Sequence, residues 1–328
     1  MNTGGRRHTQ PGLSIIVLTR NRRELLRGCL ESLWAQKRTG TSLEILVVDD
    51  GSSDDTADMV RRLKASHPNL FCLSQPHRGI AAARNNGIRR AKGKIMAIVA
   101  DDYLLAPDYV RTIVRFFSEH PQAQVVRFRI VAAGDGFISR VCHAAQEASV
   151  NRRLAEGAAW SGYRNLWRRF GRDERTTSDH GLEAAGGAAF RRGVFDRVGL
   201  FDESFARAED TDLSRRLRTE GIPIFYFPFH EIRHRYGSSL GVAMKTAFLS
   251  GRFRWRYYAK YSEGPLSIPS LVGLGLTMKA SALYWACWRA RQTVSLGRFF
   301  LYLPFMLLLE ISNKAGFMAE AMFSTKRA

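Results

Sequence analysis

The segment 208–221 reads AEDTDLSRRLRTEG and sets three carboxylates directly ahead of three arginines. Two interpretations of it are open. The first is an ordinary surface helix: acids in the first turn and bases in the last complement the helix dipole, Leu213 and Leu217 are spaced to face a core, and Gly221 is a natural terminator. The second is a catalytic base held beside a site that binds an anion.

A second acidic cluster, Asp101-Asp102, follows the apolar run KIMAIVA (94–100). Adjacent carboxylates repel each other, which raises one pKa unless a cation lies beside them. Hard oxygen ligands at the end of a strand suit Mg²⁺ or Mn²⁺, which usually take further ligands from water and substrate phosphates. The pair therefore indicates a site for a divalent cation, with a helix cap ahead of Pro107 as the alternative.

The third cluster lies in VVDDGSSDDT (47–56). Gly51 permits a sharp turn, and Ser53 or Asp54 could cap the following helix. A turn and a cap leave the pair of Asp49 and Asp50, at the carboxyl end of a predicted strand, without an explanation. An aspartate at that position can accept hydrogen bonds from a base or a ribose.

Alternating strands and helices must position these acids. Short apolar runs rich in β-branched residues suit strands that are covered on both faces. The alternation predicts right-handed βαβ units in an open, doubly wound α/β fold, with ligands at the carboxyl ends of the strands. The predicted strands cover 13–19, 43–49, near 70–74 and 94–100, and the predicted helices cover 21–36, near 54–66 and near 79–92.

The middle of the chain is less regular. Apolar runs near 124–132 and 222–230 should extend the sheet and supply the second wall of a cleft. The small-residue run 186–188 either lets an acceptor approach the backbone closely or packs tightly against the sheet. The Arg-rich stretch 140–175 either steers an anionic acceptor or forms a solvated basic face.

Composition narrows the class of protein. The chain has 328 residues, of which 45% are hydrophobic, so it can bury a sizeable core and wholesale disorder is excluded. A formal net charge of +20 favours anionic partners such as nucleic acid, acidic lipid or phosphorylated substrates. Four scattered cysteines without CxxC spacing suggest neither a zinc site nor a disulfide framework, and favour a reducing compartment. Residues 1–11 are polar and basic and predict a flexible tail rather than a secretory signal.

The C-terminal part changes character. From Gly264 to Trp288 the only charge is Lys279, and 299–309 carries none, while basic residues flank both segments. An uninterrupted membrane span needs about 20 apolar residues. The first segment could span only with a buried lysine, and the second is short and contains Pro304. Interfacial or re-entrant helices are therefore favoured, with a buried helical pair or a dimer contact as the alternative.

Five motifs together resemble the family 2 glycosyltransferases, which have the GT-A fold. The resemblance spans roughly residues 12–240 and is specific in the order and spacing of its motifs. It implies a Rossmann-like, mostly parallel sheet flanked by helices, followed here by an apolar and basic α-helical extension. The motifs are SIIVLTRNR (14–22), VVDDGSSDDT (47–56), GIAAARNNGIRRAKGKIMAIVADD (79–102), GLFDESF (199–205) and AEDTDLSRRLRTEG (208–221).

The resemblance implies a donor-binding set. Thr19 and Asn21 match the loop that cradles the donor nucleotide, and Asp50 matches the aspartate that contacts the base. Arg84 matches the basic residue beside the donor ribose or diphosphate. Asp101 is expected to serve both the donor and the metal.

A metal set and a catalytic set are implied in the same way. Asp101 and Asp102 match the metal-binding acids, and His234 stands where relatives often place a histidine near the metal or the diphosphate. Asp210 matches the general base, with Glu209 supporting it or touching the acceptor.

Two positions depart from the pattern of many relatives. Arg20 stands where they carry an aromatic residue, so the resemblance leaves the identity of the nucleotide open. Val99 stands where they carry an aspartate, so only Asp101 and Asp102 remain of an Asp-x-Asp-Asp pattern.

The implied reaction is the transfer of a sugar, with inversion, from a nucleotide-diphosphate donor to an acceptor hydroxyl. The acceptor would be a glycan, a lipid-linked glycan or a polysaccharide precursor, and Mg²⁺ or Mn²⁺ would assist. We expect a flexible tail (1–11), a GT-A domain (12–240) and a helical region (241–328) that associates with an anionic membrane surface. The expected location is cytoplasmic, on the inner face of the cell membrane, with homo-oligomers possible through the C-terminal helices.

Three other classes of function make different demands on the sequence. A nucleotidyltransferase should show a Gly-rich loop after the first strand, whereas TRNRREL contains no glycine. A nucleic-acid-binding protein would fit the charge but would not need acids at three strand ends, because acids repel phosphate; nucleic acid is therefore not expected as a partner. A degenerate, non-catalytic GT-A scaffold at a membrane surface remains the alternative function.

Overall fold

The computed structural model describes residues 12–37, 39–134, 136–145, 182, 185–235, 237, 239–261 and 296–324. The predicted alternation of strands and helices is confirmed over the first hundred residues, with ends that shift by a few residues at most. The strands are β1 (Leu13–Thr19), β2 (Leu43–Asp49), β3 (Leu70–Ser74) and β4 (Ile95–Ala100), and the helices are α1 (Arg23–Trp34), α2 (Thr56–Leu63) and α3 (Ile80–Arg90).

These four strands are parallel neighbours in the order β3-β2-β1-β4. Their apolar side chains are buried because helices cover both faces. One face is covered by α1, whose Leu26, Cys29, Leu30 and Leu33 join a core cluster with Ile15 and Val17 of β1. The opposite face packs against α3, where Gly87 lies so close to Ile16 that a methyl group would clash.

The second half adds β5 (Tyr103–Leu105), α4 (Tyr109–Glu119), β6 (Val125–Ala132), β7 (Ala188–Arg191), α6 (Val194–Val198), α7 (Glu209–Thr219) and β8 (Ile224–His234). The full order is β3-β2-β1-β4-β7-β6-β8-β5. The expected extension of the sheet is therefore confirmed. The sheet is mixed, because β7 runs antiparallel to β4 and β6, and β5 runs antiparallel to β8.

The register of the sheet brings distant acids to one edge. Thr19 at the end of β1 is paired with Asp49, and Leu18 is paired with Ala100, so the acids that follow β2 and β4 flank the end of β1. The pairing of Tyr103 with His234 then sets the end of β8 beside β5. Ligand sites in such sheets lie at this carboxyl edge.

Local packing bears on two of the sequence interpretations. Segment 208–221 forms α7, with Leu213 and Leu217 buried and Gly221 in the left-handed region (φ 65°) just past the helix end. Gly187 also has a positive φ (94°), and a Cβ there would lie 3.2–3.3 Å from Ile232 and Ile130. The small-residue run therefore packs tightly against the sheet.

The described residues group into two compact units: one within 12–133 and 182–235, and the other within 134–145, 237–261 and 296–324. The second unit contains a helix α5 over 137–145, α8 (Leu240–Tyr261) and α9 (Leu296–Ser324). The domain boundaries drawn from the sequence stay predictions. Segment 264–288, and 140–175 from residue 146 onward, lie outside the described residues.

Helices α8 and α9 cross where each presents a glycine. A Cβ at Gly251 would clash with the main-chain carbonyl of Asn313, and one at Gly316 with that of Phe248. Nearby, Glu320 accepts hydrogen bonds from Arg252 Nε (2.6 Å) and Arg256 Nε (2.7 Å). No helix among the described residues combines the length and hydropathy that a membrane crossing requires. Membrane association stays a prediction.

The helix crossing makes a prediction about stability. Gly316→Ala should lower the free energy of unfolding by about 1–3 kcal/mol, because the added methyl group overpacks the contact with Phe248. Gly297→Ala on the same helix has nothing within 4 Å of the added methyl group, so it should leave that free energy unchanged or raise it by up to about 1 kcal/mol. Urea unfolding followed by circular dichroism measures both, and equal effects would contradict this packing.

Candidate active site

The loop between β1 and α1 forms one wall of the site. Asn21 has a left-handed backbone (φ 52°), and its main-chain N–H donates to Ser52 Oγ at 2.9 Å. Its side-chain Oδ1 accepts from the main-chain N–H of Ser53 at 2.7 Å. A non-glycine residue in this region costs about 1–3 kcal/mol, and such residues cluster at functional sites. Asn21, directly before Arg22, thus ties this loop to the loop after β2.

Asp101 and Asp102 form the centre of the carboxyl edge. Asp101 Oδ2 accepts from Thr19 Oγ1 at 2.8 Å. Nη1 of Arg22 lies 3.0 Å from Asp101 Oδ1 and 2.9 Å from Asp102 Oδ2. His234 Nε2 lies 3.3 Å from Asp102 Oδ2. The structure therefore brings the sequence-predicted Thr19, Asp101, Asp102 and His234 together.

The two carboxyl groups have pKa values shifted in opposite directions. Burial raises the pKa of Asp101 to about 6 from an ordinary 3.8, with Arg22 and Thr19 opposing the shift and Asp102 adding to it. The pKa of Asp102 is lowered despite its burial, because His234 and Arg22 stabilise its charged form. Burial acts to raise the pKa of both acids, and the contacts of Asp102 with His234 and Arg22 separate the two values.

The donor set of this pair fits a divalent cation bound through phosphate. Within the described part of the chain, no group of three or more His, Cys, Asp and Glu side chains is arranged to hold a metal ion. Mg²⁺ and similar ions commonly bind one or two carboxylates and complete their shell with water and substrate phosphates. Asp101 and Asp102 match that mode in type and number.

Asp50 is engaged by the protein itself. Its carboxylate accepts hydrogen bonds from Gln75 Nε2 (2.8 Å) and His77 Nδ1 (2.7 Å). The main-chain N–H groups of Arg78 and Gly79 add two more, each at 2.9 Å. Asp50 therefore shapes the loop ahead of α3. Its expected contact with a base stays a prediction, and the polar groups it positions there include the His77 ring.

Arg84 and Glu209 form a buried ion pair, each side chain being 6% exposed. Arg84 also stacks its guanidinium over the Phe201 ring, 5.1 Å from the centroid. Burial raises the pKa of Glu209, and Asp210 adds to the increase while Arg84 opposes it. Removal of one partner of a buried ion pair typically lowers the free energy of unfolding by about 3–5 kcal/mol. The Arg84–Glu209 pair therefore anchors the start of α7 on α3.

Asp210 follows directly on that anchor. It is half-buried, and its Oδ1 accepts from the main-chain N–H of Thr211 at 2.7 Å. Ala208, just before the helix, has a left-handed backbone (φ 69°). Asn21 and Ala208 are the two non-glycine residues with positive φ within the described ranges, and each stands at the entrance to a candidate catalytic segment.

Arg207 lies within electrostatic reach of Glu209, Asp210 and Arg22. Burial lowers the pKa of its guanidinium, Glu209 and Asp210 oppose that decrease, and the positive charge of Arg22 adds to it. Arg22, which binds Asp101, therefore lies within electrostatic reach of the residues that open α7.

The sequence reasoning assigned no role to Arg22, Arg207, Gln75 or His77. Two signals were present: Arg22 ends the motif SIIVLTRNR, and Arg207 directly precedes AEDTDLSRRLRTEG. Both arginines are therefore in or adjacent to segments that were predicted to form the site. Gln75 and His77 carried no signal, because their role depends on how the loop folds back onto Asp50.

Comparison with known proteins shows the family of the chain. The family model described as Glycosyl transferase family 2 matches residues 14–199, more than half of the chain. The uncharacterized glycosyltransferase YibD of Escherichia coli (strain K12) is 35% identical over 102 residues, which are 31% of this chain and 29% of YibD. Validoxylamine A glucosyltransferase of Streptomyces hygroscopicus subsp. limoneus is 30% identical over 237 residues, 65% of this chain and 49% of that protein. The chain thus spans less than half the length of these relatives.

Solved structures show the same fold. The mannosyltransferase PcManGT from Pyrobaculum calidifontis, in complex with GDP-Man and Mn²⁺, matches with a TM-score of 0.59 and 20% identity, covering 95% of this chain and 88% of that one. TarS 1-349 of S. aureus matches with a TM-score of 0.52 and 15% identity, covering 96% and 92%. The GT-A type α/β fold with C-terminal helices, expected from the sequence, is confirmed.

The pKa of Asp101 predicts how stability depends on pH. The folded protein binds the Asp101 proton more tightly than the unfolded chain does, so ionisation of Asp101 lowers the free energy of unfolding. This decrease is absent below pH 3.8, grows as the pH rises and is complete above about pH 6. Asp101→Asn removes it. In EDTA, the free energy of unfolding of the variant should rise relative to that of the wild type between pH 4 and pH 7, by up to about 3 kcal/mol. Urea unfolding across this range measures the difference, and parallel curves for the two proteins would contradict the assignment.

Proposed function

The chain belongs to glycosyl transferase family 2, and from that premise we propose that it transfers a sugar from a nucleotide-diphosphate donor to an acceptor hydroxyl. The observation that carries the proposal is the presence of two acidic groups: Asp101 and Asp102 at the carboxyl edge of the sheet, held by Arg22 and His234, and Asp210 in the first turn of α7. One group suits a cation-bound diphosphate and the other suits a base. Such a pairing is what transfer from a nucleotide sugar requires.

The donor would bind against the β1–α1 loop and the loop that Asp50 shapes. Thr19 and Asn21 hold the first of these loops in place through hydrogen bonds to Asp101 and to Ser52 and Ser53 of the loop after β2. When bound by Asp101 and Asp102, Mg²⁺ or Mn²⁺ supplies positive charge that stabilises the leaving diphosphate. His234 stabilises the charged form of Asp102, which is the form that binds a cation. PcManGT, a relative by fold, carries GDP-Man and Mn²⁺.

Asp210 would accept the proton of the attacking hydroxyl. Thr211 binds Oδ1, and no described residue donates a hydrogen bond to Oδ2, so this oxygen is available to an acceptor. Glu209 is held by Arg84 and fixes the first turn of α7, which orients Asp210. In-line attack from this side would invert the anomeric carbon. The nature of the sugar and acceptor follows from none of these contacts.

A non-catalytic scaffold with the same fold is the second candidate, and one experiment separates the two. A thermal-shift screen of nucleoside diphosphates and nucleotide sugars, with and without Mn²⁺, identifies the donor class because binding to the folded state raises apparent stability. Release of nucleoside diphosphate from the stabilising sugar donor is then measured. Metal-dependent release supports the transferase, and stabilisation without release at any acceptor tested supports the scaffold.

Substitution of the proposed base gives a sharper prediction. Asp210→Asn should reduce turnover at least about a hundredfold, because general base catalysis typically contributes that much, while donor affinity stays near that of the wild type. Asp212→Asn is the matched control two residues along the same helix. Asp212 is fully buried and bonded to Arg216 at 2.9 Å, so its loss should lower thermal stability instead. Near-normal turnover in Asp210→Asn would remove the assignment.

A further inference from the structure

Arg22 contacts both acids of the Asp101-Asp102 pair through one nitrogen. Its Nη1 lies 3.0 Å from Asp101 Oδ1 and 2.9 Å from Asp102 Oδ2. Oxygens of two adjacent carboxylates thus converge on a single positive centre, as they would on a divalent cation bound by both. We propose that Arg22 is a displaceable internal cation, which holds this pair until a divalent cation takes its position. The inference rests on the metal-assisted part of the proposed function.

Arg22 and a divalent cation cannot both lie between these two oxygens. A cation bound to Asp101 Oδ1 and Asp102 Oδ2 would take the position that Nη1 occupies, 3.0 and 2.9 Å from them. Two positive centres on the same two oxygens would also repel each other strongly in a site where the carboxylates are only 5% and 13% exposed. Binding of the cation through both acids therefore requires that the guanidinium leave.

The structure makes the arginine the movable partner. Its side chain is 50% exposed, whereas both acids are largely buried. Within the described residues, the contacts of the guanidinium all go to these two carboxylates. The backbone beneath it is fixed, because Asn21 is bonded to Ser52 and the Arg22 carbonyl accepts from the N–H of Leu26 at 2.9 Å. Release of the guanidinium therefore requires rotation of the Arg22 side chain alone.

A released guanidinium would find a ligand in the incoming donor. Guanidinium groups form charge-assisted, often bidentate hydrogen bonds with phosphate oxygens, and Arg207 adds a second positive charge within electrostatic reach. Hydrogen bonds to the diphosphate would thus replace those that Arg22 loses when it leaves the two carboxylates. Cation and diphosphate should therefore bind with positive coupling, each raising the affinity of the other by the same factor.

The test measures Mn²⁺ binding rather than turnover. Free Mn²⁺ is followed by electron paramagnetic resonance in the full-length wild type and in Arg22→Gln, first alone and then with UDP or GDP. Without nucleotide, Arg22→Gln should bind Mn²⁺ about three- to tenfold more tightly, because a half-exposed ion pair no longer competes. The increase in Mn²⁺ affinity caused by the nucleotide should be smaller in the variant than in the wild type.

Arg207→Gln is the matched control. It removes one positive charge from the same region, but Arg207 makes no described contact with Asp101 or Asp102, so it reports the long-range effect of charge alone. Its gain in Mn²⁺ affinity should be clearly smaller than that of Arg22→Gln. Thermal unfolding provides the folding check: Arg22→Gln should melt lower than the wild type in EDTA and recover with Mn²⁺.

A second variant keeps the test decisive if Arg22→Gln does not fold. Arg22→Lys retains the charge on a shorter side chain and should give a Mn²⁺ affinity between those of the wild type and Arg22→Gln, or above the wild type if Arg22→Gln is lost. Equal Mn²⁺ affinities in the wild type and the Arg22 variants, or an equal gain in Arg207→Gln, would overturn the inference alone. Failure of every protein to bind Mn²⁺, even with UDP or GDP, would remove metal assistance from the proposed function and the inference with it.

Discussion

Asp101 and Asp102 place two carboxylates side by side at the end of β4, where their side chains are only 5% and 13% exposed. Two such charges in a desolvated position are unstable without positive charge nearby. The β1–α1 loop supplies it through Arg22, and β8 supplies a histidine through its pairing with β5. Much of the irregular geometry of this edge, including the left-handed Asn21, serves to hold these groups against the acids.

The opposite wall is built on a second buried charge pair. Arg84 from α3 and Glu209 from α7 meet in the protein interior, far apart in sequence but in contact in space. Such a pair contributes little net stability compared with apolar packing, and its value lies in fixing one arrangement. Here it fixes the start of α7, and with it Asp210. Arg207, two residues before Glu209, lies within electrostatic reach of Glu209, Asp210 and Arg22.

The fold was predictable from sequence because its signals are local. Buried parallel strands read as β-branched apolar runs, and the helices between them carry apolar residues at helical spacing, so β1 to β4 and α1 to α3 appear nearly where the runs predict them. The antiparallel insertion of β7 and the short β5 depend on long-range pairing and left no local pattern. Segment 208–221 shows that two interpretations can hold together, since a well-terminated helix also presents the proposed base.

The site was predictable only in part. Thr19, Asp101, Asp102 and His234 do converge, as the family resemblance implied, and the acidic pair lies at a strand end as the apolar run before it predicted. Asp50 was expected to face a ligand, yet its carboxylate accepts four hydrogen bonds from residues of the loop ahead of α3. Arginines such as Arg22 and Arg207 cannot be ranked from sequence in a chain with 50 lysines and arginines. Their importance comes from which acids they reach.

The central claim is that the carboxylates at the end of β4 and the first turn of α7 enclose one diphosphate-binding site. Crystals grown with Mn²⁺ and the nucleoside diphosphate that most stabilises the protein would test it, with data collected at the manganese absorption edge. We predict an anomalous peak between the side chains of Asp101 and Asp102, with the diphosphate beside it and Asp210 facing the same cleft. A diphosphate bound elsewhere, with these two carboxylates remote from both manganese and nucleotide, would contradict the account.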